Sequence, residues 1–460
     1  MVAAALLSLV LLTWAGTLIR NRSGLLQRLF IPGSLVAGLV GLLLGPEVAG
    51  RLVAGDGAWP TWMIEVWVEL PGLLISAVFA ALFLGKRIPT PREIWQLAGP
   101  QVAFGQTMAW GQYVVGLVLA LLVLGPVFGM PAVSGTLIEI GFEGGHGTSA
   151  GMADAFAAVG FSEGTDLALG LATIGVLAAV LVGVAFVNWA HRSGRAETRP
   201  VRGDGINDAS TEADARASSK ADAAPHGDTE DAPLHLLYAL AAICVSILAG
   251  WLLLAGLQLL EAALWIEHVT VAAYMPLFPF AMIGGIAVQV ALMRAGKADA
   301  VDLSMVVAVR GLSLDLLIAA AVATLSLTAI AADLVPFLLL AIAGIAWSLI
   351  ALVFLAPRML PDWWVERAAA DIGQSLGMTA TGLMLLRVAD PEDQSPALSA
   401  FGYKQLLFEP IVGGGLFTAA SVPLVAAVGG WPVLALVTVM AAGWLVLGLR
   451  LFGTRRTIVA

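Results

Sequence analysis

Apolar runs, each about long enough to cross a bilayer, alternate with short polar or charged segments along most of the chain. About 20 apolar residues in a row is the length that an α-helix needs to span the hydrocarbon core. The pattern therefore predicts an all-α, polytopic membrane protein. The predicted helices lie near residues 2–19, 29–45, 66–85, 99–124, 164–190, 233–256, 271–293, 303–330, 334–357, 401–428 and 431–451. No basic segment precedes the first run, which favours a membrane helix over a cleaved signal peptide.

Two segments, about 131–162 and 368–398, interrupt this pattern with Gly, Thr and Ser. In hydrocarbon every backbone N–H and C=O needs a partner, so irregular backbone survives only inside protein or beside water. We therefore expect each segment to form a re-entrant hairpin with a non-helical tip. For the first segment, a tight external loop is the alternative.

Residues 191–231 carry alternating charges and almost no large apolar side chains. Such a segment buries too little apolar surface to offset its ordering entropy, which predicts a disordered cytoplasmic linker. The remaining chain divides into a first membrane repeat (1–190), a second repeat (232–430) and a final transmembrane helix with its tail (431–460).

Lys and Arg cluster at alternate ends of the predicted helices, which predicts the orientation of the chain. The clusters are Arg20, Arg22 and Arg28; Lys86, Arg87 and Arg92; the arginines and Lys220 of the linker; Arg294 and Lys297; Arg358 and Arg367; and Arg450, Arg455 and Arg456. The pattern predicts a multi-pass protein of a bacterial cytoplasmic membrane, with its N-terminus outside and its linker and C-terminus inside. The two hairpins then enter from opposite sides, so the halves are inverted repeats of about five helices each, as in secondary transporters.

Composition excludes several classes of protein. The chain of 460 residues is 59% hydrophobic and only 12% charged, which excludes a soluble domain. We therefore expect the protein to contact the lipid bilayer and not to bind nucleic acid. The single cysteine, Cys244, excludes an intrachain disulfide and a Cys-based metal cluster. The sequence contains no P-loop, metal-spaced His/Cys set or nucleophile elbow, so we expect neither an enzyme nor a bound cofactor.

The first Gly-rich segment contains the string GFEGGHGTSAGM. Its glycines would expose backbone N–H groups to an anion and carbonyl groups to Na⁺. The candidate substrate contacts are Gly144, Gly145, His146, Gly147, Thr148 and Ser149. His146 could bind substrate, relay a proton or brace the tip as a structural donor. Thr148 and Ser149 suit contact with an ion or a carboxylate, and the alternative is that they cap the half-helix. Glu139 and Glu143 are expected at the wet mouth of the hairpin rather than in the site.

The second Gly-rich segment reads DIGQSLGMTATGLMLLRVADP. Its candidate substrate contacts are Gln374, Ser375, Thr379, Thr381 and Arg387. An arginine at membrane depth is costly and usually functional, and it would suit a carboxylate in bidentate geometry. The alternative is that Arg387 reaches the inner interface and helps to set topology.

Asp315, Thr148 and Thr379 are the candidates for coupling-ion contacts. Asp315 lies in the apolar string GLSLDLLIAA, where it could bind Na⁺ or take up a coupling proton. It could also pair with Arg310, but five positions separate the two side chains by about 140° around a helix, so pairing needs a break at Gly311.

Glu409 and Pro410 predict a kink in the helix near 401–428, and Glu409 is a weaker ion-site candidate.

The string GGHGT, Gly144 to Thr148, resembles that of the bacterial sodium/glutamate symporter family. The strings IPGSLVAGLVGLLLG, GLSLDLLIA and EPIVGG extend the resemblance over nearly the whole chain. It implies a homodimer of inverted repeats, each with a re-entrant hairpin, and Na⁺-coupled uptake by an elevator-like motion. The second hairpin departs from the family, because it lacks the family's His, Cys and Pro, and the chain adds Arg387 and Asp315.

The sequence and the resemblance together predict a secondary active transporter that moves glutamate, or a related small carboxylate or amino acid, with Na⁺. Proton-coupled transport of another organic anion is the alternative within transport. An ion channel and a receptor that signals through residues 191–231 are alternatives from other classes.

Overall fold

The computed structural model describes residues 1–28, 31–53, 57–197, 232–264 and 270–453. These residues form helices joined by turns and include no β-strand. The predicted disordered linker lies outside the described residues from position 198 to position 231.

The described helices follow the predicted order along the chain. The α-helices are α1 (Val2–Arg22), α2 (Gly24–Arg28), α3 (Gly33–Leu44), α4 (Arg51–Val53), α5 (Thr61–Ala80), α6 (Pro91–Leu119), α7 (Gly125–Phe128), α8 (Leu137–Phe142), α9 (Gly145–Gly151), α10 (Ala153–Ala158), α11 (Gly164–Arg192), α12 (Ala232–Leu264), α13 (Phe278–Arg294), α14 (Leu303–Ala323), α15 (Leu327–Ala332), α16 (Leu334–Ile350), α17 (Ala356–Met359), α18 (Trp364–Ala389), α19 (Ala397–Phe408), α20 (Leu416–Val428) and α21 (Gly430–Leu451). The π-helical segments are Pro46–Gly50, Ala120–Leu124 and Ala351–Leu355, and the 3₁₀ turns are Ala132–Thr136, Ala272–Tyr274 and Ala298–Ala300.

Nine helical stretches in the described part of the chain are long and apolar enough to cross a membrane. Much of their apolar surface is exposed, as in α1, where side chains such as Leu7, Leu11 and Trp14 face outward. Helices that are apolar all round are typical of membrane spans, because lipid covers the outward faces. The prediction of a multi-pass membrane protein is therefore confirmed.

The predicted helix near 401–428 is divided into two helices. A kink was expected there, and the structure has a complete break. Helix α19 ends at Phe408, and α20 begins at Leu416. In the intervening turn Gly413 and Gly414 take φ angles of 70° and 102°, which residues with a side chain rarely adopt. The prediction of one continuous helix was wrong because that segment contains this glycine turn.

The chain forms two compact units, each of which combines segments from both halves of the sequence. The first unit contains the described residues within 1–88, 146–169 and 232–333. Its helices α1, α3 and α14 pack closely because small residues lie between them, as is typical of membrane helices. A Cβ added at Gly38 would lie 2.5 Å from Cβ of Val322, and one added at Gly41 would lie 2.6 Å from Cβ of Ala323.

The second unit contains the described residues within 89–145, 170–197 and 334–453. Helix α6 lies at its centre and packs against α16, α18, α19 and α21. Its first turn is fixed by a capping box, in which the Thr90 side chain accepts from the Glu93 N–H and the Glu93 carboxylate accepts from the Thr90 N–H. Because its flanks are covered by neighbours, α6 also buries polar side chains, including Gln101, Gln106 and Gln112.

Candidate functional site

Helix α18 is interrupted at Gly377 and Met378, where the backbone leaves the helical conformation. A Cβ added at Gly373 would lie 2.7 Å from Cα of Gly382. Along an unbroken helix these two residues would be about 13.5 Å apart. The chain therefore doubles back at Gly377 and Met378, and α18 is a helical hairpin whose two arms meet at glycines.

The tip of this hairpin lies against the turn that follows α8. Gly145, which follows that turn and begins α9, takes a φ of 68°, and a Cβ added to it would lie 3.2 Å from Cβ of Met378. Beside this contact the Ser375 hydroxyl donates to Glu143 Oε1 over 2.5 Å. The second unit thus brings Gly144, Gly145 and the second Gly-rich segment together.

Polar groups around Ser375 are buried and only partly hydrogen bonded. The Gln112 side-chain amide donates to the Ser375 carbonyl oxygen over 2.6 Å, and Glu143 is only 3% exposed. Within the described part of the chain, neither Glu143 Oε2 nor Gln112 Oε1 has a hydrogen-bond partner. Buried polar atoms in proteins almost always have partners, so these two oxygen atoms are candidates to bind a cation or a proton.

Glu139, in α8, is fully buried but well satisfied. Its carboxylate accepts from the Tyr113 hydroxyl at 2.5 Å, from the Gly413 N–H at 2.7 Å and from the Thr418 hydroxyl at 3.0 Å. These three donors come from α6, from the turn between α19 and α20, and from α20. Glu139 therefore holds the turn that contains Gly413 against α8, which is a structural role.

Helix α19 contributes a lysine ammonium to the same unit. Lys404 is 1% exposed and donates to Asp371 Oδ1 at 2.7 Å and to Gln374 Oε1 at 2.8 Å. The Gln405 amide donates to the same Gln374 oxygen at 3.0 Å. This buried ion pair joins α19 to the first arm of the hairpin.

The hydroxyl groups of the second arm bond near the break. Thr379 donates to Glu409 Oε1 at 2.9 Å, and Thr381 donates to the Gly377 carbonyl oxygen at 2.6 Å. Thr381 thereby satisfies a carbonyl at the interruption of the helix. Arg387 is half-buried and follows Met378 by nine residues, or about 13 Å along the second arm.

The remaining predicted site residues belong to the first unit. His146, Thr148 and Ser149 are buried in α9, and a Cβ added at Gly147 would lie 2.8 Å from Cδ1 of Ile75. The Thr148 hydroxyl has no hydrogen-bond partner among the described residues.

Asp315, also in the first unit, is exposed on α14. That helix is continuous from Leu303 to Ala323. The break at Gly311 that a pairing of Arg310 with Asp315 would need is therefore not present in this helix.

A family model for sodium/glutamate symporters matches residues 1–389, which is most of the chain. The chain belongs to the sodium/glutamate symporter family. This is a family of transporters, and the resemblance seen in the GGHGT string is thereby confirmed. No curated protein matches the chain.

The match of the chain to the family ends at the last residue of the hairpin helix α18. Lys404 and Glu409 lie beyond it, yet both bond to residues within it, namely Asp371, Gln374 and Thr379. The polar network of the hairpin therefore joins matched and unmatched parts of the chain.

The expectation that Glu139 and Glu143 lie at a wet mouth was wrong. Glu139 is fully buried, and Glu143 is nearly so. Both carboxylates find donors on elements distant in sequence: Thr418 for Glu139 and Ser375 for Glu143. Their position in a short polar string gave no indication of these partners.

The sequence analysis also missed Lys404, Asp371, Gln112 and Tyr113. A signal was available for Lys404, since the string FGYKQLLF places a lysine in a mostly apolar helix. An ionisable residue at membrane depth is a candidate functional residue by default. Gln112 and Tyr113 carried no such signal, because uncharged polar residues are common in packed membrane helices.

Proposed function

We propose that this family member is a Na⁺-coupled symporter of glutamate or a related small carboxylate or amino acid. The observation that carries the proposal is the interrupted hairpin α18, whose tip is surrounded by buried polar groups inside a very apolar chain. Irregular backbone in hydrocarbon must line a cavity or contact protein, and in transporters such breaks bind substrate and ions.

The proposed substrate contacts are at the tip of the hairpin. The N–H groups that begin the second arm carry a partial positive charge and suit a substrate carboxylate. The side chains of Gln374, Ser375 and Thr379 and the backbone of Gly144 and Gly145 add donors and acceptors beside them. The proposal also assigns substrate binding to the remaining predicted residues, which are Thr381, His146, Gly147, Thr148, Ser149 and Arg387.

The proposed Na⁺ contacts involve oxygen atoms that lack hydrogen-bond donors. Glu143 Oε2 and Gln112 Oε1 meet that description near Ser375, and carboxylate and amide oxygens suit hard cations. Thr379, Thr148 and Asp315 stay as further proposed ion contacts. Substrate and ion would bind together, since an unpaired charge is costly in the membrane interior.

Transport would proceed by an elevator-like motion of a homodimer, with inverted repeats and two re-entrant hairpins. The protein would lie in a bacterial cytoplasmic membrane with its N-terminus outside and its C-terminus inside. The alternating positions of Lys and Arg support this orientation, and the family supports Na⁺ coupling.

Uptake of labelled L-glutamate into proteoliposomes tests the proposal. We expect accumulation with an inward Na⁺ gradient and none with an equal choline gradient.

Thr379→Ala and Arg387→Ala should impair substrate binding while leaving the protein folded, whereas the exposed Gly402→Ala change should leave substrate binding intact. Normal transport by both variants would contradict the site assignment, and absence of Na⁺-driven uptake by the wild-type protein would contradict the function.

Proton coupling is the second candidate, and the buried, partner-free Glu143 Oε2 favours it. A carboxyl group there could carry a proton instead of binding Na⁺. Uptake driven by an inward proton gradient in Na⁺-free buffer would support this mode. Uptake that follows Na⁺ and ignores the proton gradient would exclude it.

A further inference from the structure

The surroundings of the Lys404 ammonium group resemble a binding site for a free cation. A buried charge is tolerated only when it is paired and hydrogen bonded. The ammonium nitrogen is held by one carboxylate oxygen and one amide oxygen, at 2.7 Å and 2.8 Å. It also lies 4.2 Å from the ring centroid of Phe408 and 5.3 Å from that of Phe401. Oxygen ligands bind hard cations, and aromatic faces attract ammonium groups.

The neighbouring backbone leaves space for this charge. A Cβ added at Gly105 would lie 2.4 Å from Cε and 2.6 Å from Nζ of Lys404. Any side chain at position 105 would therefore displace the ammonium.

One carboxylate oxygen of the acid that binds the ammonium accepts no hydrogen bond. Asp371 is 1% exposed, and its Oδ2 has no hydrogen-bond partner among the described residues. The lysine therefore engages one oxygen of this carboxylate, while the other remains available to a cation. The side chains of Gln101 and Arg367 also lie near this carboxylate.

We propose that Asp371, Gln374 and the Phe401 and Phe408 rings form a site for a small monovalent cation, and that Lys404 occupies it as a tethered ammonium. The lysine would take the place of one dissociable ion. This last consequence rests on the proposed function, because only an ion-coupled transporter has an ion to replace. The existence of the cation site does not rest on it.

Removing the lysine tests the proposal in the purified, full-length protein. Melting temperatures of Lys404→Ala and wild type are compared in sodium chloride, methylammonium chloride and choline chloride at equal ionic strength. A cation that binds the folded state raises the melting temperature. We expect the variant to melt several degrees below wild type in choline, and to regain most of that loss in sodium or methylammonium. Lys297→Ala, which removes an exposed lysine, should respond to the salts as wild type does.

The double variant Asp371→Asn/Lys404→Met separates a cation site from a general effect of salt. It removes both charges, and we expect it to fold without the added response to sodium or methylammonium. A response of Lys404→Ala no larger than that of wild type would overturn the proposal, as would an equal response of the double variant. Failure of Lys404→Ala to fold in every salt would also overturn it, because the cation would then not replace the ammonium. Failure of the proposed function appears separately, as wild-type protein without Na⁺-driven uptake.

Discussion

Met378 has a backbone conformation that residues with a side chain rarely adopt. Its φ of 77° and ψ of 168° fall in a region that belongs almost entirely to glycine. Such a conformation costs about 1–3 kcal/mol and persists only where the surrounding structure enforces it. Here the neighbouring hydrogen bonds of Thr379 to Glu409 and of Thr381 to Gly377 hold the tip on both sides. A strained residue at the point where two Gly-rich segments meet is consistent with a tip shaped for binding.

The melting temperatures of Met378 variants should follow how well each replacement residue tolerates this backbone conformation. We expect Met378→Gly to melt at or above the wild-type temperature, since glycine removes the strain. Met378→Val should melt lower, because a β-branched residue tolerates positive φ least. Thermal unfolding of the two purified variants checks the order. A valine variant as stable as the glycine variant would show that the tip adopts another backbone conformation.

Glu143→Gln should reduce Na⁺-driven uptake while leaving the protein folded. Glutamine keeps the shape and can still accept from Ser375, but it removes the negative charge. Losing a charged interaction of this kind costs about 1.5–3 kcal/mol, or roughly 10- to 100-fold in affinity. Uptake measured against Na⁺ concentration checks this. Glu392→Gln, an exposed change in the same unit, serves as the control, and equal uptake by both variants would exclude Glu143 from ion binding.

At the scale of the element, the hairpin depends on glycines where its arms touch. A Cβ at Gly373 would meet backbone of the second arm, and one at Gly382 would lie 2.5 Å from the Ala370 carbonyl oxygen. Backbone cannot move aside as a flexible side chain can. The two arms therefore approach more closely than any residue larger than glycine permits.

Gly373→Ala should destabilise the protein by about 1–3 kcal/mol, as overpacking of a closed contact does. Gly402→Ala is the matched control, because no atom lies within 4 Å of its added Cβ and the residue is exposed on α19. There alanine should stabilise the helix by about 1 kcal/mol. Thermal unfolding of both variants distinguishes the two effects. If both changes had the same sign, the arms would not meet at Gly373.

Local pattern predicted the interruption of α18 but not its partners. Glycines at 373, 377 and 382 were visible in the sequence and predicted a broken segment between 368 and 398. The acceptors and donors around it come from elsewhere, since Lys404 lies 33 positions from Asp371 and Ser375 lies 232 positions from Glu143. Averaged hydropathy across 401–428 also concealed the single lysine. Contacts of that sequence separation follow from packing, which periodicity alone does not determine.

At the scale of the molecule, the compact units and the predicted repeats divide the chain differently. The repeats are consecutive in sequence, whereas each unit draws on both halves. Within the described residues, the chain passes from one unit to the other at Ile88/Pro89, Gly145/His146, Leu169/Gly170 and Asp333/Leu334. Inverted repeats that exchange segments would produce such a division. The repeats themselves stay a prediction, and their test is the orientation of the chain in the membrane.

Cysteine labelling measures that orientation. In a Cys244→Ser background, Val127→Cys and Ala295→Cys place one reactive thiol each at exposed positions after α6 and α13 without changing any charge. The distribution of Lys and Arg places Val127 outside and Ala295 in the cytoplasm. A membrane-impermeant maleimide should therefore label the Val127→Cys variant in intact cells and the Ala295→Cys variant only after permeabilisation. Opposite labelling would reverse the topology, and labelling of both in intact cells would contradict the inverted arrangement, because these two positions follow helices that must then end on the same side.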